Sequence, residues 1–467
     1  MSLLLTNDSP SIHTLGHLPP VPLVIEYSDR TTWWTMAQDN VHFGLQQHGR
    51  VRGIVIQAPS LSLWTWLQLM NSIFPGLRDL SLSSTDIGKM ELMLPVRLQA
   101  PDLRRLALYG VGLPKGLPLL SSTTTLSTLS LTHIGASCYF PPGHLVTQLQ
   151  DLPHLEELSI GFAVPIPLPS SERELLPPPI PPVTLPSLRR LKFQGVDAYL
   201  DNLVAQIITP LLERLGLTFF FDLAFTLVNL TEFIHRTDGL GCLVAHVIFN
   251  KDGSSIDAGH YEDVGKVGLR VNCEPLDWQI DSVTQVCDAL GDVLSSIEEL
   301  TLDLNVDGMS SDWENTLDNV AWHELLLPFI GVKKLHIGSS LTLELSKALE
   351  SVDEGLVLEL LPELQELEVP LKIDRATDAF SMFMKTRESV GRPIHLLVPP
   401  EVAVVPLEVA VGPSLSEETT AAEVSPETPA VPSSPRPKLE DASRKEKKRW
   451  QARALGLVGR LRGKNQN

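Results

Sequence analysis

One phrase recurs along the chain: an apolar residue followed three and five places later by two more. It reads VRGIVI at 51, LRDLSL at 77, LRRLAL at 103, LSTLSL at 126, LEELSI at 155 and LRRLKF at 188. It returns as LERLGL at 212, VAHVIF at 244, IEELTL at 297, VKKLHI at 332 and LQELEV at 364. In most copies the last two apolar residues alternate with polar ones, which puts them on one face of a short strand. Stretches between copies, such as WTWLQLMNSIFPG (64–76) and HLVTQLQDLPH (144–154), have the apolar spacing of a short helix. A strand and a helix per unit cannot bury their apolar edges alone, so units must stack on their neighbours.

That pattern predicts an α/β fold, an irregular leucine-rich-repeat solenoid (a horseshoe), with a disordered C-terminal tail. The spacing is uneven: successive copies begin 26, 26, 23, 29, 33, 24, 32, 53, 35 and 32 residues apart. The gap of 53 suggests a further strand at VGLRVNC (267–273). The asparagine that usually follows the strand phrase is missing from most copies. We divide the chain into a lead-in (1–17), a solenoid (18–400), a linker (401–435) and a basic tail (436–467). A proline-dense insertion at about 163–187 interrupts the solenoid and reads as an exposed loop, since proline can be neither regular helix nor central strand. The linker is Pro, Ser, Thr, Glu and Val without an aromatic residue, a composition expected to stay disordered.

Charge narrows the partners. The formal net charge is −19, yet from Arg436 onward 11 Lys/Arg face 3 Asp/Glu, giving +8 there and −27 elsewhere. A body so acidic is not expected to bind nucleic acid or an anionic membrane. In the tail, a helix over 444–464 would gather Trp450, Ala454, Leu457, Val458 and Leu461 on one face and basic residues on the other, suiting a membrane surface or nuclear import. Gly456, Gly459 and Gly463 would each weaken that helix by about 1 kcal/mol relative to Ala. Cys138, Cys242, Cys273 and Cys287 are too widely spaced for a zinc site or redox pair. With no secretory leader in MSLLLTNDSP and no long apolar span, an intracellular protein is expected, cytoplasmic or nuclear.

DLNVDGMSSDWE (303–314) spells a calcium loop, with Asp303, Asn305, Asp307 and Glu314 as ligands and Gly308 at the turn. The repeat reading competes with it, placing a strand at IEELTLDL (297–304) where such a loop needs an incoming helix. The loop also has no second copy, and Ser310 replaces the apolar residue that zips paired loops. A solvated acidic loop is the preferred reading. No metal, cofactor or catalytic residue is expected: the 13 histidines are scattered along the chain, and G-x-S-x-G does not occur. His133 and Cys138 read as loop neighbours rather than as base and nucleophile.

Several blocks resemble a basidiomycete fungal family of F-box proteins with degenerate leucine-rich repeats. They are LPPVPLVIEYSD (18–29), LRRLALYGVGLPKGLPLLSSTTTLSTLSL (103–131), LRRLKFQGVDAYLDNLVAQIITPLLERLGLTFF (188–220), LRVNCEPLDWQIDSVTQVC (269–287) and NVAWHELLLPFIGVKKLHI (319–337). Only 17 residues precede the first block, and none forms the helical adaptor-docking pattern of an F-box. The resemblance therefore implies the substrate-recognition part of a ubiquitin-ligase receptor, with the F-box missing from this chain and a Skp-type adaptor engaged only if one is supplied. Polar residues beside the inward pairs line the concave face. There Arg105, Arg190, Lys192, Lys334 and His336 are candidate contacts for a protein partner, acidic or phosphorylated. The sequence leaves the oligomeric state open.

Overall fold

The computed structural model describes residues 3–6, 21–29, 34–114, 118–164, 182–220, 228–260, 263–273, 276–305, 319–350, 360–370 and 378–397. Most of the proline-dense insertion, the linker and the basic tail lie outside these residues. Sixteen strands build one sheet. The first nine are β1 (Leu3–Leu5), β2 (Leu23–Ser28), β3 (Val51–Ala58), β4 (Asp79–Ser84), β5 (Arg105–Tyr109), β6 (Thr128–Ile134), β7 (Glu157–Phe162), β8 (Arg190–Gly195) and β9 (Arg214–Phe220). Three more, β10 (Val244–Asn250), β11 (Gly253–His260) and β12 (Asp263–Asn272), precede β13 (Glu299–Leu304), β14 (Lys334–Ile337), β15 (Glu366–Glu368) and β16 (His395–Leu397).

From β1 to β9 each strand pairs in parallel with the next, the arrangement of a repeat solenoid. The inward pairs stack in register. Leu80 and Leu82 lie beside Leu106 and Leu108, which lie beside Leu129 and Leu131, and so on to Leu335 and Ile337. All of these are at most 4% exposed. Each fully buried Leu contributes about 1.5–3 kcal/mol relative to an exposed one. Helices including Ser60–Leu69, Pro142–Leu149, Asp197–Val204 and Asn319–Leu326 cover one face of this layer with their own apolar sides. The opposite face of the sheet stays open.

A turn fixes where each strand begins. In Phe74-Pro75-Gly76-Leu77, Ala100-Pro101-Asp102-Leu103, Leu152-Pro153-His154-Leu155 and Leu185-Pro186-Ser187-Leu188, the fourth residue donates its N–H to the first residue's carbonyl at 3.0–3.3 Å. The same bond closes Thr209–Leu212 and Leu361–Leu364, again with proline second. Proline's fixed φ favours that place in a turn. The carbonyl just before each strand then accepts two amides from the following unit. Arg78 takes Arg104 and Arg105 at 2.8 and 3.0 Å, Arg104 takes Ser127 and Thr128, and the series continues to Lys333, which takes Gln365 and Glu366. This register bond is main chain to main chain, so it places no demand on side-chain identity, and the missing asparagine leaves no gap in it.

The long gap between copies holds two strands, and one of them was not expected. β12 contains VGLRVNC up to Asn272, as the spacing suggested, but it pairs with β9 rather than following β10. The sheet order is β9-β12-β11-β10-β13, with β11 antiparallel to both neighbours. Asn250-Lys251-Asp252-Gly253 makes the tight turn between β10 and β11. Gly253 has φ +153°, and a Cβ there would lie 2.2 Å from the Val271 carbonyl oxygen, so only glycine fits. Behind the hairpin, fully buried Gln279 donates to the carbonyls of Asn250 (2.7 Å) and Cys273 (3.0 Å). The inversion also corrects the alignment of the copy at 244. Val244 pairs with Glu299 and Ala245 with Leu300, so the matching phrase is CLVAHV (242–247). Strands β1 and β16 are further additions to the sequence reading.

Polar side chains tie neighbouring units. The Asp86 carboxylate accepts both the backbone N–H and the hydroxyl of Ser60 at the start of the helix one unit earlier. Those bonds hold its pKa down to about 2. Arg387, fully buried, donates to the carbonyls of Leu361 (3.2 Å), Pro362 (3.2 Å) and Leu364 (3.0 Å) in the preceding turn. Two expectations follow from these ties. The lowered Asp86 pKa means its contribution is full above the ordinary carboxylate range and disappears as pH falls through about 4 to about 2. Asp86→Asn should then cost about 1–2 kcal/mol in urea unfolding at pH 7, with the difference from wild type shrinking over that acid window. Arg387→Met, which keeps the bulk but strands three carbonyls, should lower stability by about 2–4 kcal/mol by the same measurement.

Candidate partner-binding site

On the open face the polar residues between the inward pairs form rows that run across the strands. One row passes Asp79, Arg105, Thr128, Glu157, Arg190 and Arg214. Beyond the hairpin it continues through Glu299, Lys334, Glu366 and His395. The register sets opposite charges side by side, and they pair. Arg105 meets Asp79 at 3.5 Å and Arg190 meets Glu157 at 2.7 Å. Lys334 meets Glu368 at 3.3 Å, while the two ring nitrogens of His336 lie 2.9 Å from Glu299 and 2.9 Å from Glu368. Exposed pairs of this kind contribute only about 0–1 kcal/mol each. Their main effect is to neutralise the face at both sides of its middle.

Four of the five cations read from the sequence are thus taken up within the face, and the structure does not bring them together. Lys192 differs. It is exposed, in no ion pair among the described residues, and its ladder neighbours are Ser159 and Gly216. It stands at the wall of a depression of about 470 Å³ lined by β6, β7, β8, β9, β12 and β11. Gly216 and Gly268, paired across β9 and β12, are its floor, and Gly161 extends it toward β7. From β4 onward the same places elsewhere in this row carry Ser, Ala, Lys, Asp, His, Thr or Glu. Where glycine replaces them the sheet surface drops. Thr132, Ser159, Gln194, Thr218 and Ser255 supply hydroxyls and an amide around the rim.

A second cation enters from β12. Arg270 is exposed and lines the same depression, one strand beyond Gly216. Asp257 lies at the far edge, between Gly268 and His246 in the ladder. Burial pushes its carboxyl above the ordinary range, against the pull of His246 and Arg270. The floor is backed by packed rings: Phe193 stacks on Tyr199 at 5.6 Å, and Phe162 meets Tyr199 edge-on at 4.9 Å. Sequence reasoning found Lys192 but not Arg270, Asp257 or the glycine floor. The signal was present as LGL at 215–217 and VGL at 267–269, yet only the inverted hairpin places these two glycines side by side.

The calcium-loop residues fall differently. Asp303 is on strand β13, its Oδ1 accepting the Leu304 N–H at 2.8 Å, and the Asn305 N–H donates to the Phe249 carbonyl at 2.9 Å. Both belong to the C-terminal end of an interior strand, where a calcium loop needs the end of a helix. Asp307 and Glu314 lie outside the described residues. Among the described residues no three His, Cys, Asp or Glu side chains are grouped to hold a metal, and no helix is long and apolar enough to cross a membrane. All four cysteines are buried and unpaired, and burial pushes their thiols up.

No family model matches the chain, and neither does any curated protein. Among solved structures, the crystal structure of a TLR13–ssRNA13 complex is similar at 12% identity and a TM-score of 0.33, over 81% of this chain and 48% of that one. The chain therefore spans about half the length of that neighbour. The class of fold, an irregular leucine-rich-repeat solenoid with an open, mostly parallel sheet, stands on the strand order and the stacked apolar pairs themselves.

The floor can be tested directly. A Cβ on Gly216 would meet only the Lys192 Cγ at 3.5 Å, ordinary contact, and a β-branched residue suits a strand. Gly216→Val should unfold within about 1 kcal/mol of wild type while filling the depression. Unfolding midpoints of the two chains in urea check the first part.

Proposed function

We propose that this chain is a non-enzymatic protein–protein interaction module, with the open sheet face as its docking surface and the depression between Lys192 and Arg270 as the anchor point. The observation that carries this reading is the contrast along the face. Arg105, Arg190 and Lys334 are neutralised by carboxylates across the strands and His336 lies between two of them, while Lys192 and Arg270 stand over a glycine floor in no ion pair among the described residues. Exposed cations around a hollow are suited to an incoming anionic group, because a charge-assisted bond there breaks no ion pair seen among the described residues. An irregular solenoid offers such a surface without moving parts: its register bonds fix the spacing of every side chain on the face.

The resemblance noted in the sequence extends this reading to a role, the substrate-recognition part of an F-box ubiquitin-ligase receptor. In that role a Skp-type adaptor is engaged through an F-box supplied by other means, and the open face presents the captured protein. Affinity purification of the tagged chain from its native cell, with partners identified by mass spectrometry, tests both levels. Lys192→Glu with Arg270→Glu should remove at least one partner that Arg105→Gln retains. Identical partner sets for the two variants would overturn the docking-face reading. Co-purification of a Skp-type adaptor and cullin supports the receptor role, and their absence leaves a repeat scaffold that binds without ubiquitylating.

A further inference from the structure

The charges of the open face are sorted into three zones. Over β4 to β8 the cations and anions pair one to one, as Asp79 with Arg105 and Glu157 with Arg190. Over β8, β9, β12 and β11 lie Lys192 and Arg270, two cations on either side of the floor at Gly216, with one carboxylate, Asp257, at the far edge. Over β13 to β15 the balance reverses: Glu299, Asp303, Glu366 and Glu368 face Lys334 and His336. Even with His336 protonated, four carboxylates there meet two cations. The middle zone thus attracts an anion and the C-terminal zone repels one.

That order restricts the ligand. Nucleic acid or a long acidic segment placed on Lys192 and Arg270 would carry further negative charge over Glu299, Glu366 and Glu368. Like charges brought together in this way oppose docking. The anion must therefore be local. A single carboxylate carries one charge for two cations, whereas a phosphorylated side chain carries about −1.5 to −2 on a compact group and can accept from both. Asp257, opposite Lys192 across the two floor glycines, keeps the anion's seat toward the β9 side.

We propose that the docked partner is a bipolar protein segment, with one phosphorylated side chain seated above Gly216 between Lys192 and Arg270 and basic residues over Glu366 and Glu299. The proposal rests on the open-face reading and adds its ligand chemistry. Distances along the sheet set the spacing. In the strand order, β15 lies six places from β9. At about 4.8 Å per strand the separation is about 29 Å. An extended segment crosses it in about eight or nine residues. Glu366, half-buried on the open face and in no ion pair among the described residues, is the free carboxylate to meet the basic end.

The test uses the full chain immobilised and three degenerate peptide pools, with phosphoserine, serine or glutamate fixed at the centre. The phosphoserine pool should be retained at least tenfold more than the serine pool, with Lys and Arg enriched about eight or nine positions to one side. Lys192→Gln with Arg270→Gln should abolish the phosphate preference, as should Gly216→Val by filling the seat. Glu366→Lys should abolish the enrichment of basic residues and leave the phosphate preference. Equal retention of the three pools, or a phosphate preference that survives in the Lys192/Arg270 variant, would overturn the proposal. If the pools are retained equally while cellular partners are still lost on charge reversal at Lys192 and Arg270, the docking face stands and its phosphate chemistry falls. If the partners are unaffected too, both fall.

Discussion

The bond on which the rest of the structure depends is the one from each pre-strand carbonyl to two amides of the next unit. Arg78, Arg104, Ser127, Glu156 and Arg189 each accept in this way, and beyond the hairpin Leu243, Glu298 and Lys333 do the same. A buried main-chain polar group without a partner costs as much as a lost hydrogen bond, so the contact is obligatory wherever strands stack. Because it is made by backbone alone, it lets the units differ in length and in side chain while holding the strands in step. The uneven spacing of the repeat is tolerated for that reason: variation is confined to the helices and loops, while the turn, the carbonyl and the inward pair stay constant.

The hairpin between β10 and β11 is where this order is broken and where the candidate site arises. A strictly sequential solenoid would place β10 on β9. Here Gly253 turns the chain back, β12 takes the place beside β9, and Gln279 fastens the inserted strands to the helix behind them. The consequence is chemical. Gly268 comes to lie beside Gly216, and Arg270 is brought within one strand of the floor that Lys192 borders. No unit contains this arrangement on its own.

Electrostatics on the open face follow the same logic of register. Alternating carboxylates and cations one strand apart neutralise each other, which is why Arg105, Arg190, Lys334 and His336, all plausible contacts when read singly, are engaged within the protein. A charged residue in a sequence carries no mark of its cross-strand partner, because that partner is 26 to 37 positions away. Lys192 was legible as exposed and cationic. Its significance, that Ser159 and Gly216 flank it instead of carboxylates, was not.

By itself the sequence determined the layer structure. Apolar residues at three and five places can be buried only on one face of a strand that follows a turn, and eleven repetitions require those strands to stack. Six of the eleven turns were legible too, had the proline before the phrase been read with it, since Pro75, Pro101, Pro153, Pro186, Pro210 and Pro362 all precede the first apolar residue by two. Only the tertiary structure decided which strand lies beside which at the long gap. Periodicity of two specifies the face that a residue occupies and says nothing about the strand's neighbour or direction. Neighbour and direction were decided by a glycine turn and a buried glutamine, and with them the hollow between Lys192 and Arg270.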